Sequence, residues 1–181
     1  MSYLNLRNIN RIRSNISEEA ASTLEHSFIS SRLDNLNSLL VGLPESTIKT
    51  LQLIQNNAAR VVLKKKKRDH ITPLLKELHW LPVRSRIEYK ICLLTFKALN
   101  NLAPTYISSL IKRYLPARLL RSAGRGLLEP KVPNLKRTGG RSFTVVAPAM
   151  WNRLPEGLRL ATDLDGFKRD LKTYLFLKAY P

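Results

Sequence analysis

The chain has 181 residues, 44% of them hydrophobic, with a formal net charge of +18 and an isoelectric point near 10.5, which excludes compositional disorder and points to a polyanionic partner. The single cysteine, Cys92, excludes an internal disulfide and leaves no thiol set for zinc. The opening MSYLNLRNINRIR lacks the apolar core of a secretory signal, and no run of about 18 apolar residues exists to span a membrane, so an intracellular chain, nuclear or cytoplasmic and not secreted, is expected.

Tyr3, Leu4, Leu6, Ile9 and Ile12 recur at near-helical spacing up to Ser14, although only Ser2 stands where a cap would be, so the helix reads as one that begins part-way along. Ser17 followed by Glu18 and Glu19 is a better start: a hydroxyl for the free N–H groups, and acids at the positive end of the helix dipole. From there Ala20, Ala21, Leu24, Phe28, Ile29, Leu33, Leu36, Leu39 and Leu40 predict a helical stripe that stops at Gly42 and Pro44. Ile48, Leu51, Ile54, Ala58, Val61 and Val62 give the next helix an apolar face, with Lys49, Gln52, Asn56, Asn57 and Arg60 largely elsewhere. That helix runs into the cationic stretch Lys64, Lys65, Lys66, Lys67 and Arg68.

Thr72-Pro73 predicts an N-cap with proline at the first helical position, and Leu74, Leu75 and Leu78 form the core face of a short helix. After the Trp80-Leu81-Pro82 turn, Val83, Ile87, Ile91, Leu94 and Ala98 predict a helix from Pro82 to Asn100, and Tyr106, Ile107, Leu110, Ile111 and Tyr114 another from Pro104 to Leu115. Residues 116–141 hold seven basic residues against the single acid Glu129, with two internal prolines and four glycines that break any period. The segment has room for short strands at Leu127–Glu129 and Ser142–Val146. Ala147–Leu154 reads as a short helix that sets Met150 and Trp151 against a core, and a last helix follows Asp163 and Asp165 with Leu164, Phe167, Leu171, Tyr174 and Leu175 in phase.

The fold expected is mainly α: a helical bundle over 1–115, a basic irregular segment over 116–141, and a small C-terminal helical subdomain over 142–181. Charge follows this division loosely. Residues 1–60 carry six Lys or Arg against five acids, and residues 61–181 the other 25 against eight.

Six blocks follow one another in the chain: SRLDNLNSLLVGLP from Ser31, LQLIQNNAARVV from Leu51, RDHITPLLKELHWLPVRSRIEYKI from Arg68, the ALN-x-x-AP-x-YIS segment from Ala98, RSF-x-x-x-AP-x-x-WN-x-LP from Arg141, and F-K-x-x-L-K-T-Y-L-F from Phe167. In this order they resemble the region after the polymerase palm in non-LTR (LINE-type, jockey-like) retrotransposon reverse transcriptases. Polymerisation in that family needs paired aspartates that hold two metal ions, and this sequence has no Asp-Asp pair and no endonuclease region. The resemblance therefore implies a detached thumb-like and C-terminal part, with no catalytic residue or cofactor to carry over. It implies RNA or DNA backbone as partner, together with the remainder of a reverse transcriptase.

Lys64–Arg68 fits a solvated helix end, a phosphate contact or a nuclear localisation signal. Arg118, Arg121, Arg125, Lys136, Arg137 and Arg141 favour phosphate if they converge, because backbone contact of that kind releases condensed cations and reads little sequence. Phe28, Phe96, Tyr106, Phe167 and Tyr174 lie on apolar stripes and are expected in cores, with Trp80 and Trp151 as turn anchors. His26, His70 and His79 offer no metal spacing, and no nucleophile elbow, phosphate loop or dinucleotide fingerprint occurs, so neither a small-molecule substrate nor enzymatic activity is expected. The other class of reading is a helical interaction or structural remnant with no nucleic-acid partner.

Overall fold

The computed structural model describes residues 2–116, 124–133 and 139–181. Among these the regular structure is helical, and the chain packs as two compact units, Met1–Ile87 with Leu175–Pro181, and Glu88–Tyr174. These units group residues by packing, whereas the three segments expected above mark changes in charge and in proline and glycine content.

In the first unit, α1 (Ser2–Ile12) buries Leu6 and Ile9 and leaves Tyr3, Leu4 and Ile12 exposed. Helix α2 (Glu18–Glu25) starts as its sequence predicts: Ser17 Oγ accepts the Ala20 N–H at 3.1 Å. The stripe expected beyond it does not continue as one α-helix. A π turn, His26–Ser30, separates α2 from α3 (Ser31–Asp34), and a 3₁₀ turn, Asn37–Leu40, follows Leu36 at φ +55°. The wider π turn shifts the inward face by about one position, so Ile29 and Leu33 are buried while Phe28, Leu36 and Leu39 stand outside.

The same five-residue spacing sets Ser30 against Glu25, whose carboxylate accepts the Ser30 hydroxyl at 2.9 Å. Burial pushes the Glu25 carboxyl up, and the Ser30 hydrogen bond and the charge of Arg86 offset part of this. Arg86 is itself paired with Asp34 at 2.8 Å.

Helix α4 (Glu45–Val62) buries Ile48, Ala58, Ala59 and Val62 as its spacing predicts, and with them Gln55. Gln55 Nε2 donates to Leu81 O, and Gln52 Oε1 accepts from the Val83 N–H, so two amides of α4 fix the turn that launches α6 (Val83–Leu99). Helix α5 (Ile71–Glu77) begins one residue before the expected cap: Thr72 and Pro73 lie inside its first turn. The last turn of α10 (Leu164–Ala179) returns to this unit, where Tyr180 packs with Ala59 and Leu75. Tyr180 Oη donates to Trp80 O at 2.9 Å, and burial pushes its phenol up to about 12.

The second unit is built on three packed aromatic rings, Phe96 stacked on Phe167 and Trp151 tilted against it. Phe96 and Phe167 lie 4.3 Å apart between centroids, Trp151 lies 5.8 Å from Phe167, and all three side chains are buried, each contributing about 1.5–3 kcal/mol. Trp151 comes from α8 (Phe143–Trp151), which takes in the residues expected as the strand Ser142–Val146; Phe-Thr-Val-Val favours a strand locally, but as the start of this helix it leads directly to the buried Ala147, Pro148 and Trp151.

Helix α7 spans only Thr105–Ser108, shorter than expected, which leaves Tyr106 exposed instead of in a core. Its continuation runs extended beside residues 127–129, joined by Tyr114 N–H to Leu127 O and Glu129 N–H to Lys112 O at 2.9 Å each. The strand expected at Leu127–Glu129 is thus a single antiparallel bridge, Arg113 to Leu128. The Asn152 side chain pairs both ways with the backbone of Leu128, and Trp151 Nε1 donates to Gly126 O. Gly126 has φ +66°, and a Cβ there would meet Arg159 O of α9 (Glu156–Arg159) at 3.0 Å, so conformation and space both require glycine. Asp163 Oδ2 accepts the Gly166 N–H at 2.5 Å, capping α10 as expected. No helix among the described residues is long and apolar enough to cross a membrane.

Candidate nucleic-acid interface

The cationic stretch does not prolong α4. Leu63 is the C-cap, and the chain then reverses: Lys65 N–H reaches back to Arg60 O at 2.9 Å and Lys64 N–H to Val61 O at 3.3 Å, with Lys64 in the left-handed region at φ +52°. This is the Schellman arrangement, here closed by a lysine where glycine is the usual residue. Asp69 ends the stretch by accepting the Lys66 N–H at 2.7 Å. The five side chains Lys64 to Arg68 are exposed, and no hydrogen bond or ion pair holds any of them among the described residues.

Arg13 completes the end of α4. Its Nε donates to Val61 O and Val62 O at 3.1 Å, Nη2 to Val62 O at 2.6 Å and Nη1 to Ile16 O at 2.9 Å, and the residue is only 5% exposed. A guanidinium at the negative end of a helix is favoured by the dipole as well as by these bonds. Because Arg13 immediately follows α1, the clamp also fixes α1 beside α4.

Between the two helices lies a groove of about 790 Å³. One wall is a single face of α1 and its extension: Tyr3, Leu6, Arg7, Asn10, Arg13 and Ser14. The other is the last turns of α4, Asn57, Arg60 and Val61, continued by Lys64, Lys65 and Lys67. Among the described residues, no Asp or Glu lines it. Arg60 Nη2 donates to Asp69 O at 3.1 Å, and its Nε is enclosed with no hydrogen-bond partner among the described residues.

Of the residues expected to bind nucleic acid, Lys64, Lys65 and Lys67 meet in this groove, while Lys66 and Arg68 belong to the same exposed stretch without lining it. Arg125 and Arg141 belong to the second unit, where both are exposed and Arg125 Nε lies 4.0 Å from Glu156. Arg118, Arg121, Lys136 and Arg137 lie outside the described residues. Tyr3, Arg7, Arg13 and Arg60 line the groove as well, none of them expected there from the sequence. Tyr3, Arg7, Asn10 and Ser14 repeat at helical spacing along the first helix and its extension, as do Asn57, Arg60 and Val61 near the end of α4, whereas no spacing announces Arg13. Compared with known proteins, the chain matches no family model, and no curated protein or solved structure matches it.

Proposed function

We propose that this chain is a non-catalytic nucleic-acid-binding part of a non-LTR retrotransposon reverse transcriptase, working beside the remainder of such an enzyme and contacting RNA or DNA through phosphate. The family origin rests on the six ordered sequence blocks, and the absence of an Asp-Asp pair argues against polymerisation by this chain itself. The observation that carries the binding role is the groove, where Arg7 on one wall faces Lys64, Lys65 and Lys67 on the other, with no carboxylate among the described residues that line it. Four such cations, with no partner among the described residues, match a ligand that brings its own row of negative charges.

The test is the affinity of the full chain for a mixed-sequence RNA and DNA at two salt concentrations. Four phosphate contacts predict a slope of log K against log salt near −3, which lowers affinity about 50-fold between 50 and 200 mM. An affinity insensitive to salt, or lowered equally by substituting acidic and basic residues, would sink the reading. Binding that survives substitution of Lys64 to Arg68 by glutamine, in a chain that still folds, would take the contact away from this groove, and no binding of either nucleic acid at low salt would favour the structural remnant instead.

A further inference from the structure

The groove holds more than a phosphate contact needs. We infer that it receives an unpaired strand, with a base stacked on Tyr3 and the phosphates of the following nucleotides on Arg7, Lys64, Lys65 and Lys67. The inference rests on the nucleic-acid reading above and names the form of the ligand.

Three observations carry it. Tyr3 lines the groove at the start of α1 and is 54% exposed, an aromatic ring that no core claims. A ring face offered in this way suits a base freed from its partner, because in a duplex both faces of each interior base are already covered by stacking. Next, Asn10 and Asn57 stand among the cations, one on each wall. An amide presents both a donor and an acceptor, the complement of a base edge, and adds little to the attraction for phosphate. Finally, the groove is short. From Tyr3 to Ser14 the wall rises about 16 Å at 1.5 Å per residue, room for a base on Tyr3 and the few phosphates that Arg7, Lys64, Lys65 and Lys67 would hold.

The ring and the cations also lie in an order that a strand can follow. Tyr3 and Arg7 are one helical turn apart on the same face of α1, and opposite them Arg60, near the end of α4, is followed by Lys64, Lys65 and Lys67 of the reversed chain beyond it. A strand lying along the groove passes from an aromatic contact to cationic ones without leaving the two walls, and the Arg13 clamp keeps the walls in place before it arrives.

The experiment compares a single-stranded RNA 20-mer with a duplex of the same sequence, binding to the full chain and to Tyr3→Ala, Tyr3→Trp and Arg7→Gln. Tyr3 is exposed, so its replacement leaves the fold intact, which circular dichroism checks. Tyr3→Ala is expected to weaken single-strand binding about tenfold, duplex binding less than about twofold, and the salt slope not at all, with Tyr3→Trp restoring affinity. Arg7→Gln is expected to reduce the single-strand slope by about 0.7.

Steep, salt-dependent binding that ignores Tyr3→Ala would overturn the inference while leaving the phosphate reading in place. No binding of either nucleic acid at low salt would remove both. Sedimentation with anionic vesicles that the 20-mer fails to displace would assign the groove to a membrane surface and overturn it as well.

Discussion

The basic stretch that leaves α4 and three cations of the second unit, Arg113, Lys131 and Arg159, are used in opposite ways. In the second unit Arg159 donates to Arg125 O and Asn152 O, Arg113 to Leu99 O and Lys131 to Leu110 O. There the backbone is irregular, its carbonyls are left without helical partners, and nearby cations satisfy them. At the end of α4 the carbonyls are already taken by the Schellman bonds and by Arg13, so the lysines that follow find no internal acceptor. A surplus of positive residues therefore locates a binding surface only where the local backbone has already satisfied itself.

That contrast can be broken at three points. Arg13→Ala, which strips three carbonyls of a buried donor, should cost about 3 kcal/mol in urea denaturation and weaken RNA binding, because the groove walls lose their clamp; an unchanged midpoint would show that water replaces the guanidinium without loss. Arg159→Ala removes two bonds at a half-buried site, and about 1 kcal/mol is expected, with no change in the salt slope of RNA binding. A reduced slope there would mean that second-unit arginines contact phosphate after all. Lys64→Gly should act in both directions at once: left-handed backbone suits glycine, so stability rises by about 0.5 kcal/mol after the added freedom of the unfolded chain is subtracted, while RNA affinity falls. Loss of stability would show that the Lys64 stem packs in a way its exposure does not suggest.

Much of this fold is legible in the sequence where a pattern is long. Glu45–Val62, Val83–Leu99 and Leu164–Ala179 repeat their apolar positions over four turns or more, and Ser17 is followed by two glutamates, so these elements stand near their expected places. Short or phase-shifted elements are not legible in the same way. Nothing in His26–Ser30 announces a π turn, and the residues from Ser142 to Val146 are β-branched enough to read as a strand until the buried Ala147, Pro148 and Trp151 are set beside them.

The candidate site divides similarly. A run of five basic residues is visible as composition, whereas Tyr3, Arg7 and Arg60 join it only through the pairing of two helices that lie about fifty residues apart in sequence. Gln55 shows the converse: a polar side chain on a helix is read as outward, but a carbonyl at the Leu81 turn draws it fully inside.

The contact between Tyr180 and Trp80, a hundred residues apart, has a bearing on synthesis. The first unit draws Leu175–Pro181 into its packing, so a ribosome at roughly 5–20 residues per second has made all of the second unit before the first can close. Until then Ala59 and Leu75 lack the cover of Phe176 and Tyr180, and the nascent chain carries an uncovered apolar surface close to its most cationic loop. A chain stopped at residue 174 would keep every residue of the groove and lose the cap on the core that supports it.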